Sequence, residues 1–163
     1  MPSFSWFDRL GGLTHIEGNL YRCALPVHPR HFQVLRDRGI HVVFSMEEEV
    51  PGHEVARHGF DWRPHFWVDD QPPTPQQMDQ FLADVLALPL DHNAVVHCKA
   101  GWGRTGTAIA CALMARHGWG AEKALSHYWS RVPGAKIHML RNGQAAFVHA
   151  YGAKLKGRNP LFS

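Results

Sequence analysis

Residues 94–110, AVVHCKAGWGRTGTAIA, hold the strongest structural signal in this chain of 163 residues. The segment begins with a short apolar run, passes through a His-Cys pair into a glycine-rich turn, and ends in an alanine-rich run. An apolar run of this length is typical of a buried strand, and the alanine-rich run is typical of a helix. The pattern therefore predicts a strand, a loop and a helix in that order. In α/β folds such a loop lies where ligands bind, beyond the carboxyl end of a strand.

Strand and helix patterns alternate along the rest of the chain. Strands are predicted at 18–25, 40–46, 60–68 and 94–98, and helices at 29–39, 51–59, 74–88, 105–118, 121–132 and within 138–156. Pro64 indicates an edge position or a bulge for its strand. The alternation predicts an α/β fold with a central, mostly parallel sheet of about five strands, flanked by helices on both faces.

The helix at 74–88 has the clearest boundaries. Thr74 is a candidate N-cap, Pro75 occupies the first helical position, and Gln77 completes a capping box. One apolar stripe follows at helical spacing: Met78, Phe81, Leu82, Val85 and Leu86.

The composition is that of one folded domain spanning residues 1–163. Apolar residues make up 45% of the chain and charged residues 19%, which excludes a disordered chain. The formal net charge of +3 suits an anionic substrate but is too small to predict a nucleic-acid partner. There is no secretory signal pattern and no apolar run long enough to span a bilayer, so no membrane insertion is predicted. Three cysteines form an odd and sparse set, which predicts a reducing, cytoplasmic location.

The thirteen histidines do not predict a metal site. The pairs His28 with His31 and His53 with His58 lack cysteine or carboxylate partners at ligand spacing. Neither a metal nor another cofactor is expected.

The glycines of the loop allow two interpretations. Gly101, Gly103 and Gly106 form a literal G-x-G-x-x-G between a predicted strand and a predicted helix, as in a dinucleotide-binding fold. That fold also needs an acidic residue about 20 positions further on, at the end of a second strand. Glu122 is the nearest candidate, and it falls at the start of a predicted helix. The dinucleotide interpretation also gives Cys98 no role, so it stays a remote alternative.

The second interpretation uses every residue of the loop, which matches His-Cys-x5-Arg-Ser/Thr. Backbone N–H groups and the helix N-terminus stabilise the thiolate of a cysteine at such a turn, which makes Cys98 a candidate nucleophile. The planar fork of Arg104 can bind two phosphate oxygens, and the hydroxyl of Thr105 can donate to the sulfur. His97 is expected to order the loop by hydrogen bonding. The predicted phosphate-binding residues are Lys99, Ala100, Gly101, Trp102, Gly103 and Arg104.

Phosphate-ester cleavage at Cys98 also requires a carboxylic acid that protonates the leaving oxygen. The segment WVDDQPP offers Asp69 and Asp70 on a loop, and one helix and one strand separate them from Cys98. This path returns the chain to the same edge of the sheet. The spacing therefore favours one of these two aspartates as the general acid.

These motifs resemble the cysteine-dependent protein tyrosine phosphatase superfamily, in its compact atypical dual-specificity branch. HCKAGWGRTGTAIACALM is similar to the signature loop and following helix of that branch and of the mitotic-exit phosphatases, and the likeness extends upstream to DDQPPTPQQMDQFL and, more loosely, LYRCALP. The resemblance covers residues 18–152 and implies hydrolysis through a cysteinyl-phosphate. It places the acid at Asp69, although Val68 replaces the usual proline. Gln144 occupies a position for which the relatives use glutamine, whereas their neighbouring glutamate is absent.

The resemblance implies a phosphorylated protein or a small phosphate monoester as the partner. Phosphotyrosine and phosphoserine/threonine proteins are the expected substrates. Lys99 and Ala100 also occur in the phosphoinositide phosphatase that has a tensin-like domain, so a phosphoinositide or another small molecule is the alternative. Trp102 replaces that enzyme's second loop lysine. A non-catalytic phosphate-binding module is disfavoured, because a pure binder needs no nucleophile.

Overall fold

The structure, a computed structural model, describes residues 12–158, which group into two units. The first unit contains the described residues up to Phe66 together with Pro89–Gly101. The second contains Trp67–Leu88 together with the described residues from Trp102 onward. The strands of the described chain all belong to the first unit.

A five-stranded sheet forms the first unit. Its strands are β1 (Thr14–Glu17), β2 (Leu20–Cys23), β3 (Ile40–Ser45), β4 (Asp61–Pro64) and β5 (Asn93–His97). Their order across the sheet is β1-β2-β5-β3-β4, with β1 and β2 antiparallel and the other neighbours parallel. β5 is therefore central, and β4 with its Pro64 lies at an edge, as predicted. The predicted fold class is confirmed.

The hairpin formed by β1 and β2 was not predicted. The two strands pair across a Gly18-Asn19 turn, in which Gly18 has a φ of 56°. β1 has the sequence THIE and buries only Ile16. Four residues are too few to show a period of two in the sequence, so this strand becomes evident only from its pairing.

Among its described residues, the first unit also contains two helices, α1 (Pro29–Asp37) and α2 (Gly52–Arg57). Phe32 of α1 and Val55 of α2 join Val43 of β3 and Val95 of β5 in one buried apolar cluster. This cluster supports the central strand from which the glycine-rich loop emerges.

The part of the second unit that the structure describes contains five helices: α3 (Pro75–Leu86), α4 (Gly103–His117), α5 (Ala121–Arg131), α6 (Ala135–Arg141) and α7 (Gln144–Arg158). α4 is buried from Gly103 to Met114 and packs against the other four. At Gly106 a Cβ atom would lie 2.7 Å from the sulfur of Met139 and 2.8 Å from the ring of Tyr128, so only glycine allows this close approach. No helix among residues 12–158 combines the length and apolar character needed to cross a bilayer.

Two helix predictions need correction. The last helix, predicted within 138–156, is divided into α6 and α7, because the chain turns at Asn142 and at Gly143, whose φ is 76°. The apolar stripe predicted for α3 includes Leu86, which is instead 42% exposed at the last residue of the helix. The capping box of Thr74 and Gln77 is confirmed.

A polar contact joins α3 and α7. The hydroxyl of Tyr151 donates a hydrogen bond to Oδ1 of Asp79, and Lys154 and Arg158 lie 3.4 and 3.6 Å from the same carboxylate. The bond from Tyr151 is the main cause that lowers the pKa of Asp79, and burial followed by this bond raises the pKa of Tyr151. Both pKa shifts favour a neutral tyrosine that donates to an ionised aspartate.

We expect Tyr151→Phe to lower the free energy of unfolding by about 1–2 kcal/mol near neutral pH, because it removes a hydrogen bond to a charged acceptor. Urea unfolding of the wild type, Tyr151→Phe, Asp79→Asn and the double variant measures the effect, and the double variant should lose less than the sum. The stabilisation is present above the ordinary pKa of an aspartate and is lost as the pH falls through the lowered pKa of Asp79, so the four stabilities should converge in acid. Additive losses would show that the two side chains act independently.

Candidate active site

Cys98 directly follows the central strand of the sheet. Its neighbour His97 pairs with Cys23 of β2 on one side and with Ser45 of β3 on the other. Cys98 is 3% exposed. The cysteine therefore emerges at the carboxyl end of β5, which is the position where parallel sheets bind ligands.

The ring of His97 lies in a buried hydrogen-bond network. Nδ1 lies 3.0 Å from the carbonyl oxygen of Cys98, and Nε2 lies 2.6 Å from Oγ of Ser45, which accepts a further bond of 2.9 Å from Nε1 of Trp62. Because a carbonyl oxygen only accepts, Nδ1 carries a proton and donates it to the carbonyl of Cys98. The carbonyl of His97 accepts from the backbone N–H of Met46 at 2.9 Å. The ring and the backbone carbonyl of His97 thus both hydrogen-bond within the first unit, directly before Cys98.

The next carbonyls of the loop are also held by the first unit. The oxygen of Lys99 accepts from the backbone N–H of Leu25 at 2.9 Å. The oxygens of Ala100 and Gly101 accept from the guanidinium of Arg22. The side chain of Lys99 is exposed. Every backbone carbonyl from His97 to Gly101 therefore accepts a hydrogen bond from a donor in the first unit.

These bonds orient the N–H groups of the loop. In a trans peptide the carbonyl and the following N–H point in opposite directions, and the described residues contain no cis peptide. The carbonyls of Ala100 and Gly101 share one donor, Arg22, so the N–H groups of residues 101 and 102 both turn away from that guanidinium. Successive N–H groups on one face form an anion-binding nest.

No sequence pattern predicts a role for Arg22, Ser45 or Trp62. A charged residue inside a short strand beside a buried strand is a signal that could have identified Arg22, because such a charge requires buried partners. The hydrogen bond between Ser45 and His97 joins residues of different strands, and no sequence spacing marks it.

Arg104 lies in the first turn of α4 and is 2% exposed. Its Nη1 donates to the carbonyl oxygen of Trp67 at 3.1 Å, and its Nη2 lies 3.0 Å from Oδ1 of Asp69. The guanidinium is thus fixed in direction within the second unit. A planar fork held in this way suits a ligand with two oxygens, such as a phosphate.

The two candidate acids point to different partners. Asp69 contacts Arg104, whereas Oδ1 of Asp70 lies 3.5 Å from Nε2 of His138. Asp70 has a φ of 57°, and its backbone N–H donates to Oδ1 of Asp69 at 2.9 Å. This left-handed residue separates the directions of the two carboxylates. Asp69 therefore lies at Arg104.

Two further polar side chains lie near the start of α4. The hydroxyl of Thr105 is buried and has no hydrogen-bond partner among residues 12–158. Gln144 is fully buried, and a Cβ atom at Gly103 would lie 2.6 Å from its Oε1. Its Nε2 donates to the carbonyl of Gln71 at 3.5 Å. Gln144 therefore packs directly against Gly103, the first residue of α4.

Trp102 lines a hollow in the second unit. A Cβ atom at Gly134 would lie 3.0 Å from the Trp102 ring, so the indole packs against this glycine. The hollow has a volume of about 250 Å³, and its lining residues are Trp102, Gly134, Ile137, His138, Arg141 and Asn142. Because Trp102 belongs to the predicted phosphate-binding segment, the hollow adjoins that segment.

Packing accounts for the three glycines of the G-x-G-x-x-G pattern. A side chain at Gly101 would collide with Arg22, one at Gly103 with Gln144, and one at Gly106 with Met139 and Tyr128. The dinucleotide interpretation is therefore not needed to explain them.

The comparison with protein families matches residues 16–150 to the Swiss Army Knife DSP-PTPase phosphatase domain. This match covers most of the chain. The chain belongs to the DSP-PTPase phosphatase domain family. The predicted membership of the tyrosine phosphatase superfamily is thereby confirmed.

Relatives of this phosphatase domain include two named protein phosphatases. The dual specificity protein phosphatase CDC14AB of Danio rerio is 29% identical over 142 residues, which cover 82% of this chain and 22% of the relative. The tyrosine-protein phosphatase yvh1 of Schizosaccharomyces pombe is 30% identical over 132 residues, 78% of this chain and 38% of the relative. This domain thus spans well under half the length of either relative.

Solved structures share the fold. A mutant form of Tk-PTP superposes with a TM-score of 0.76 at 21% identity, covering 93% of this chain and 99% of that one. PTPMT1 in complex with PI(5)P gives a TM-score of 0.75 at 21% identity, covering 90% and 97%. At these identities the likeness concerns the fold.

The other two cysteines of the phosphatase domain are enclosed in the core. Burial raises the pKa of Cys23 to about 12, with Arg22 opposing the shift, and burial also raises the pKa of Cys111. Both therefore remain neutral thiols at physiological pH. Thiols in this state are poor nucleophiles.

We expect iodoacetamide to alkylate Cys98 in the native protein at neutral pH, and to modify Cys23 and Cys111 slower by a factor of about a hundred or more, because only the thiolate reacts. Peptide mass spectrometry after timed quenching measures the three rates. Unfolding in guanidinium is the control, since it should make the three cysteines equally reactive. Native labelling of Cys23 or Cys111 at the rate of Cys98 would contradict the expectation.

Proposed function

We propose that this domain hydrolyses phosphate monoesters through a cysteinyl-phosphate on Cys98, and that its substrates are phosphotyrosine and phosphoserine/threonine proteins. The observation that carries the proposal is the Ala100-Gly101 turn after Cys98, whose two carbonyls are both held by Arg22, so that the next two N–H groups turn to the opposite face and can bind an anion. Family membership and the named relatives support the same chemistry.

In the first step the thiolate of Cys98 attacks phosphorus in line with the leaving oxygen. A sulfur–phosphorus bond forms, the bond between phosphorus and the leaving oxygen breaks, and Asp69 donates its proton to that oxygen. The amides of Lys99–Gly103 and the fork of Arg104 bind the non-bridging oxygens, whose charge rises in a loose transition state. The hydroxyl of Thr105, which has no partner among residues 12–158, would stabilise the sulfur as a leaving group by donating to it in the second step.

In the second step water attacks the cysteinyl-phosphate. The carboxylate of Asp69 accepts a proton from the water, an oxygen–phosphorus bond forms, and the sulfur–phosphorus bond breaks. Phosphate leaves, the sulfur of Cys98 recovers its electron pair as a thiolate, and Asp69 is protonated again. No metal is required for either step.

The contacts of Arg104 support Asp69 as the acid. The same guanidinium contacts the carbonyl of Trp67 and the carboxylate of Asp69, and so holds both ends of the Trp67-Val68-Asp69 segment. Asp70 lies against His138 instead. The segment keeps this arrangement without the usual proline, since Val68 is 63% exposed and packs against little.

A phosphoinositide is the second candidate substrate. Two observations favour it: Lys99 is exposed beside the loop, and the structurally similar PTPMT1 was solved in complex with PI(5)P. The relatives named as protein phosphatases favour the first candidate. The deciding measurement is kcat/KM on phosphotyrosine peptide, phosphoserine peptide and PI(5)P under one set of conditions.

We expect purified protein to release phosphate from an aryl phosphate in the presence of EDTA, and Cys98→Ser to abolish turnover, with a loss of about a thousandfold or more, because a neutral hydroxyl replaces a thiolate. Phosphate release measures activity, and tungstate titration shows whether Cys98→Ser still binds an oxyanion. Cys111→Ser is the matched control and should keep its activity. Turnover that survives in Cys98→Ser would refute the proposed nucleophile.

Asp69→Asn should slow an alkyl phosphate more than an aryl phosphate with a good leaving group, by a further factor of about ten to a hundred, because only the poor leaving group needs protonation. The ratio of kcat/KM on the two substrates measures this, and Asp70→Asn is the matched control with an expected ratio near that of the wild type. If Asp70→Asn changes the ratio and Asp69→Asn does not, the acid is Asp70.

A further inference from the structure

We propose that Arg22 is a positioning residue for the phosphate-binding loop, a role that rests on the function proposed above. Arg22 lies on β2, opposite Val96 of the central strand, and is 1% exposed. From there its side chain reaches past the end of β5 to the loop. It touches no reacting atom in this proposal and acts through the peptide groups that it holds.

The guanidinium forms a fork around two successive carbonyls. Nη2 donates to the oxygen of Ala100 at 2.9 Å and to that of Gly101 at 3.2 Å, and Nε donates to Gly101 at 3.3 Å. Nη1 donates to the carbonyl of Gly12 at 3.2 Å, which fixes the other side of the fork. One side chain thus bridges the beginning of the hairpin and the turn of the loop.

The loop is shaped to fit this arginine. Gly101 has a φ of 76°, a conformation that favours glycine. A Cβ atom there would lie 2.3 Å from Nη2 and 2.9 Å from Cζ of Arg22, and 2.6 Å from the carbonyl oxygen of Cys23. The loop backbone therefore lies directly on the guanidinium, with no space for a side chain between them.

Peptide geometry converts this contact into an effect on the ligand. Holding the carbonyls of Ala100 and Gly101 turns the two following N–H groups away from Arg22, to the face where an oxyanion binds. Without the guanidinium both peptide planes could rotate, and two donors would lose their alignment. Lysine keeps the positive charge, but its compact ammonium does not reproduce the planar fork.

The test compares Arg22→Lys and Arg22→Met with the wild type in the full chain. Isothermal titration with inorganic tungstate measures oxyanion binding, and kcat and KM on an aryl phosphate measure turnover. Arg63→Met is the matched control: it removes an arginine that lies on β4 and pairs with Asp61. Circular dichroism and thermal unfolding report whether each variant is folded.

We expect both Arg22 variants to bind tungstate at least about tenfold more weakly and to lose kcat/KM by a larger factor, since misaligned donors cost more in the transition state. Arg63→Met should match the wild type. A structural role alone would lower the unfolding temperature and leave the tungstate affinity of the folded protein unchanged. Folded Arg22 variants with wild-type affinity and turnover would overturn the inference.

Gly101→Ala tests the same contact from the other side, and it decides the question if neither Arg22 variant folds. Its methyl group would displace the guanidinium, so tungstate affinity should again fall by about tenfold or more. Unchanged affinity in Gly101→Ala would contradict the proposal. A wild type that neither binds tungstate nor hydrolyses the aryl phosphate would instead refute the proposed function itself.

Discussion

The planar peptide group is the constraint on which this site depends. Fixing one carbonyl fixes the direction of the next N–H, and the carbonyls from His97 to Gly101 are all fixed. The donors come from both sides of the central strand: Met46 follows β3, and Leu25 follows β2. A loop after an edge strand would have lacked one of these sides. The order of the strands therefore determines how the N–H groups of the loop are aimed.

The second unit fixes the arginine by a different route. α4 is made largely of small residues, so its neighbours approach closely and bury it over most of its length. Its first turn is thereby held in place, and Arg104 is directed by the carbonyl of Trp67 and the carboxylate of Asp69. The left-handed conformation of Asp70 turns the second carboxylate to His138. A single backbone torsion thus separates two adjacent aspartates.

The predictions that held rest on local patterns. The strand, loop and helix of 94–110 lie within one contiguous motif, and the capping box of α3 is complete within four residues, so neither needs distant information. The features that the sequence did not predict depend on contacts between distant residues or on single backbone torsions. β1 is too short to show a period and is defined by pairing, and the last helix is broken by the left-handed Gly143. Arg22 is 79 residues from Gly101 in the chain, and no motif links them.

The sequence by itself determined the class of fold and the family, and it singled out the segment proposed to carry the chemistry, because each of these depends on residues that are neighbours along the chain. Only the tertiary structure decided which carboxylate meets Arg104, which strands supply donors to the loop, and which arginine lies beneath it. These choices depend on strand order and on the directions of side chains that are far apart in sequence. Hydrogen bonds are short and directional, so such partners become known only when the chain has brought them within about 3 Å of one another.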